Sequence, residues 1–136
     1  MANLNKFRRD TNRAASGRWV PYQEDIELLI ASTAQREWKN DIRAAVKSER
    51  KPGQVESDIR LDDEFLTKHG RLIARHLLKG WRKIQAEDGA EIPYSVEKAT
   101  EYLTDPELTD LRLFVLARAG EDEAYQVGSA KSAAGN

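Results

Sequence analysis

The sequence predicts a mainly α (α+β) protein, a small helical domain with a short N-terminal β-hairpin. Three observations predict it. Apolar residues recur at three- and four-residue steps over most of the chain, as in Trp38, Ile42, Ala45 and Val46. Two β-prone runs, Gly17-Arg-Trp-Val-Pro-Tyr22 and Ile26-Glu-Leu-Leu-Ile-Ala31, flank a polar Gln23-Glu-Asp25 link. The 136 residues, 40% of them hydrophobic, supply one modest core and leave little room for a second. The expected organisation is a flexible basic arm over 1–16, a single domain over 17–127 and a flexible tail over 128–136.

The arm carries Lys6, Arg8, Arg9 and Arg13 against Asp10, with few large apolar groups to anchor it. In the hairpin, Pro21 has no amide hydrogen, so the first strand belongs at an edge or with its proline on the unpaired side. A competing assignment is one helix from about Glu24 to Arg50, since Ile26, Leu29 and Ile30 also fit a helical stripe. Ser32 and Thr33 can cap a helix running to about Glu49, and Lys51-Pro-Gly-Gln54 breaks it.

The longest helix is expected from about Asp62 to Ala86, with Phe65, Leu66, Leu72, Ile73, Leu77, Trp81 and Ile84 on one stripe. Asp88-Gly89 is a turn, and Glu91-Ile-Pro-Tyr94 is extended because the residue before proline avoids the α region. Ser95 caps a short helix over 96–103. Asp105-Pro-Glu107 starts another, with acid cap, proline in the first turn and Leu108, Leu111, Phe114, Val115 and Ala119 as its core face.

Composition excludes several function classes. With no cysteine, thiolate metal sites, disulfides and cysteine nucleophiles are ruled out. No apolar run approaches the ~20 residues of a membrane span, and the first ten residues lack the apolar stretch of a secretory signal, so cytoplasm is the expected compartment. A net charge of -1 argues against a globally basic nucleic-acid binder. Residues 71–83 hold five cations and no acid, whereas 84–110 hold eight acids against Lys98. These segments are expected to complement each other across a helix pair, with a nucleic-acid stripe as the sharper alternative.

His69 and His76 lie seven residues apart, about 10 Å along a helix axis, too far to grip one metal ion. They are expected as hydrogen-bonded core residues. The acidic triplet Asp62-Asp63-Glu64 suits a helix start, where the helix dipole favours acids. Glu87-Asp88 is turn chemistry. No phosphate-binding glycine loop and no nucleophile-base arrangement is present, so the expectation is a non-enzyme with no cofactor and no metal. Trp19, Trp38 and Trp81 each lie in an apolar pattern. Trp19, beside the edge strand and the basic arm, reads equally as core or interface.

From about Gly17 onward the sequence resembles the tail assembly chaperones of long-tailed, siphovirus-like bacteriophages and prophages. The likeness rests on Gly17-Arg-Trp-Val-Pro-Tyr22 with Ile26-Glu-Leu-Leu-Ile-Ala31 and the helix containing Trp38. It rests further on His76-Leu-Leu-Lys-Gly-Trp81, Glu87-Asp-Gly89 and Glu91-Ile-Pro-Tyr-Ser95, and on Asp105-Pro-Glu-Leu108. It covers about 110 residues, and its middle stretch is the most specific. The Gly135-Asn136 ending departs from the Lys-Asn ending of many members.

The resemblance implies a scaffold made in the host cytoplasm and absent from the mature virion. It would bind the tail tube and tape measure proteins and hold the tube subunit back from premature polymerisation. No catalytic residue is carried over. Homo-oligomers are compatible with this role, and neither nucleic acid nor membrane is expected as a partner. Many members are also made in a longer, frameshifted form, which codons for Ala134-Gly-Asn136 would permit. The candidate partner-binding residues are Arg18, Trp19, Val20 and Tyr22, on a strand whose free edge could take up a partner strand. The alternatives are a small head–tail connector or a helical DNA-binding regulator.

Overall fold

The computed structural model describes residues 3–121 and Tyr125. Its elements in chain order are α1 (Thr11–Ser16), β1 (Arg18–Pro21), β2 (Glu27–Ile30), α2 (Arg36–Glu49), α3 (Asp63–Lys68), α4 (Gly70–His76), β3 (Leu78–Arg82), α5 (Val96–Leu103) and α6 (Thr109–Ala119). Short 3-10 turns occupy Leu4–Phe7 and Glu56–Asp58. The mainly helical α+β class and the hairpin are as expected.

The hairpin belongs to an antiparallel sheet of order β1-β2-β3, with Arg18 opposite Ile30 and Val20 opposite Leu28. The Tyr22 N–H donates to the Ile26 carbonyl (2.8 Å). Stepping back by twos along this register turns the bonding groups of Val20 and Arg18 toward β2 and those of Pro21 away from it. The proline thus sits where its missing donor costs nothing.

The third strand corrects the expectation of one helix from Asp62 to Ala86. That stretch is α3, α4 and β3. His69 (φ -105°, ψ 21°) separates the two helices, and Asp62, not a continuing turn, caps the first by accepting from the Phe65 N–H (2.9 Å). Gly70 opens α4 because α5 comes so close: a Cβ there would stand 2.1 Å from the Leu103 carbonyl oxygen. Beyond His76, β2 offers an open edge to Leu78–Arg82, and Glu27 lies opposite Arg82. The stripe Leu72, Ile73, Leu77 and Trp81 fits a helix followed by a strand as well as one helix, and the edge of β2 decides between them.

Other starts shift by a few residues. Helix α2 begins at Arg36, and Ser32 accepts from the Ala34 N–H (3.0 Å) in the turn before it. Asp105 likewise accepts from the Glu107 N–H (2.9 Å) in a turn ahead of α6. Ser95 caps α5 as expected, accepting from the Lys98 N–H (3.0 Å). Gly89 turns the chain at φ 86°, and Glu91 bridges back to Gln85.

Helix α4 is the hub, packing against β3, α2, α5 and α6. Ile30, Ile73, Leu77, Leu78, Leu103 and Val115 are almost wholly buried around it. Within the segment expected as an arm, Asp10 caps α1, Ala14 is buried, and the Ala14 carbonyl accepts from the Ser32 N–H (2.8 Å). The expected tail, 128–136, lies outside the described residues.

Among the described residues, Arg112 is the largest fully buried side chain. Its Nε and a terminal nitrogen donate to Asp63 Oδ1 (3.2 and 2.9 Å). The guanidinium also donates to the carbonyls of Asp105 (2.6 Å) and Leu103 (3.4 Å). One residue thereby ties α3, the α5–α6 loop and α6 together.

Candidate partner-binding surface

The four candidate residues alternate across β1. Arg18, Val20 and Tyr22 point to the helical side. Val20 is 5% exposed and packs in the core. The Arg18 guanidinium pairs with Glu121 and lies 5.5 Å from the Tyr125 ring centre, while the buried Arg18 Nε has no hydrogen-bond partner among the described residues. Tyr22 is half-buried against Phe114, ring centres 4.7 Å apart, and burial pushes its phenol pKa up.

Trp19 takes the opposite face, in register with Leu29 and Gly80. A Cβ at Gly80 would stand in ordinary van der Waals contact with the Leu29 Cβ (3.4 Å) and the Trp19 Cη2 (3.7 Å), so the indole reaches across all three strands. The Arg82 guanidinium caps that ring at 3.7 Å and contacts Glu27 (3.8 Å). What β1 presents outward is therefore exposed Pro21 and the half-buried rims of Trp19 and Tyr22. Trp38 and Trp81 lie in the core.

The second stretch of the family resemblance is one physical unit. Trp81 Nε1 donates to the Ile92 carbonyl (2.8 Å) and the Tyr94 hydroxyl to the Leu78 carbonyl (2.6 Å). The two rings meet edge-on at 4.9 Å. Leu78 and Trp81 of β3 are thus bonded to Ile92 and Tyr94 across the acidic turn that links them, which clamps β3 to the entry of α5.

Both histidines are buried and paired with acids of α2. His76 Nε2 lies 2.7 Å from Asp41 Oδ2, and His69 Nε2 lies 3.0 Å from Glu49 Oε1, with Lys68 on the same carboxylate (2.7 Å). The hydrogen bond from His76, then the charges of Arg75 and Arg71, holds the Asp41 carboxyl below its ordinary range. Lys68 and His69 do the same for Glu49. The pairs bind α2 to α3 and α4.

The expected complementation of 71–83 by 84–110 is not what the charges do. Arg75 faces Asp41 of α2 and Arg82 faces Glu27 of β2, while Lys98 pairs with Glu101 inside α5. An open groove of about 290 Å³ lies at the C-terminal end of α2, lined by Glu49, Ile59, Asp62, Phe65 and Lys68 among others. Among the described residues no cluster of three or more histidines and acids could hold a metal ion, and no helix is long and apolar enough to cross a membrane.

These elements define a small α+β domain whose candidate surface is a sheet edge backed by helices. A model of the YdaY prophage protein family matches residues 15–136, from the end of α1 onward. The chain belongs to that family and is a phage or prophage protein. No curated protein and no solved structure matches it.

Proposed function

We propose that this prophage protein is a tail assembly chaperone, a non-catalytic scaffold acting in the host cytoplasm and left out of the finished virion. It binds the tail tube and tape measure proteins and delays tube polymerisation. The observation that carries this is the Gly80-Trp81 to Ser95 unit. The two ends of the stretch that most resembles tail assembly chaperones are bonded to each other, so the resemblance falls on a folding unit. Membership of a prophage family agrees with it.

Tube subunits that stack head to tail expose edges and apolar surface. A chaperone that covers them and later yields them needs a modest, reversible interface. Strand β1 offers a free edge for strand addition, with Pro21, Trp19 and Tyr22 at its outer side. Co-expression of the tagged chain with the neighbouring tail proteins tests the proposal. Co-purification of the tube or tape measure protein is the expected result. Capture of neither, with the chain found in purified particles, would overturn it in favour of a connector.

A further inference from the structure

We propose that the outward face of α2 is a docking surface for an acidic, amphipathic helical segment of a protein partner. This rests on the chaperone proposal only for the identity of that partner. Arg36, Lys39, Arg43, Lys47 and Arg50 succeed one another at steps of three and four and are all exposed. They form one line about 21 Å long, from the first residue of α2 to its C-cap. Among the described residues, only Lys47 of these five has an ion pair, a 3.9 Å contact with Glu56.

A face kept charged for solubility mixes signs. Here the acids of α2 are displaced from the line. Asp41 and Glu49 are committed to His76 and His69, and Glu37 lies on the flank beside Asp41. The result is a single-sign stripe on a chain whose net charge is -1. Such a stripe attracts an anionic partner and aligns it.

The shape selects a protein segment over a nucleic-acid duplex. The stripe is one helix wide. Uncharged, exposed Asn40, Ala44 and Ser48 run along one side, and the exposed Asp58, Asp62 and Glu64 lie beyond the loop at its C-terminal end. A duplex carries two rows of phosphates, and this single line of cations, with no second basic row beside it on α2, meets only one of them. On the other flank stand half-buried Ile42 and Val46, each one residue before a cation of the stripe. A helix with acids over the stripe and apolar residues over Ile42 and Val46 satisfies both rows.

The test uses the full chain and the triple variant Arg36→Glu, Lys39→Glu, Arg43→Glu. All three positions are exposed, so unchanged circular dichroism and melting are expected. Two probes are titrated against the ¹⁵N-labelled protein. One is a designed helical peptide with glutamates on one face and leucines on the other, and the second is a duplex DNA of similar length. Expected are peptide-induced shifts confined to 36–50, affinity that falls with salt, and about a tenfold or greater loss in the variant.

Tighter binding of the duplex at the same salt, or no peptide binding at low salt, would overturn the proposal. In a parallel co-purification, a tail partner retained by the native chain and lost by the variant supports it. Equal retention by both overturns it. Peptide binding at 36–50 without capture of any tail protein would leave the docking face standing and remove the chaperone proposal.

Discussion

Replacing Arg112 by methionine removes the clamp while roughly keeping its volume. The Leu103 carbonyl, buried and bonded to the guanidinium at 3.4 Å, loses this donor, a penalty of about 1–3 kcal/mol. Asp105 and Asp63 lose partners too, but the Asp63 side chain is 44% exposed and regains water, so the ion pair adds little. The expected total is about 2–4 kcal/mol. With a urea slope of about 1.5 kcal/mol/M, the unfolding midpoint should fall by roughly 2 M. Asp63→Asn keeps an acceptor for Arg112 and should cost about 1 kcal/mol. A loss below about 1 kcal/mol for Arg112→Met would refute the clamp. Equal losses in the two variants would mean that the charge pair, and not the carbonyls, sets the energy.

Gly70→Ala drives a Cβ onto the backbone of Leu103, so a melting experiment should show about 3 kcal/mol of destabilisation despite alanine's better helix propensity. Tyr125→Phe leaves the Ile30 carbonyl without the hydroxyl that donates to it at 2.8 Å, and chemical denaturation should register about 1–2 kcal/mol. Asp41 and Glu49 have lowered pKa values when folded, so the unfolded chain binds more protons as acid is added. Their contribution is present above the ordinary carboxylate range and is lost as pH falls through the lower folded values. Urea midpoints measured from pH 6 to pH 2 should therefore fall less steeply in Asp41→Asn, Glu49→Gln than in the native chain.

Local chemistry was legible wherever the residues themselves fix the backbone. The hairpin, the Ser95 cap and the Gly89 turn follow from strand propensity, a hydroxyl at a helix start and a glycine with positive φ. The histidines were legible as paired core residues because their spacing excluded a shared ligand. Strand β3 was not, because Leu77 and Trp81 keep a helical period and the edge that recruits Leu78–Arg82 belongs to residues fifty positions earlier. Arg112 was missed for the same reason. Its sign pointed to solvent, and only the fold brings Asp63 and two carbonyls to it.

The candidate surface was half legible. Position and sequence marked β1 as an edge, but nothing local says that Val20 would fill the core or that Arg18 would pair with Glu121. The basic line on α2 was present at helical spacing all along. The cation run at 71–83 is denser in sequence, yet in the structure Arg75 and Arg82 of that run face acids.

The most direct measurement is sedimentation of the purified tube protein of the same prophage, alone and with an equimolar amount of this chain. If the chain is a tail assembly chaperone, the tube protein stays in the supernatant with it and pellets as tubes without it. Tubes pelleting equally fast in both would contradict the central proposal.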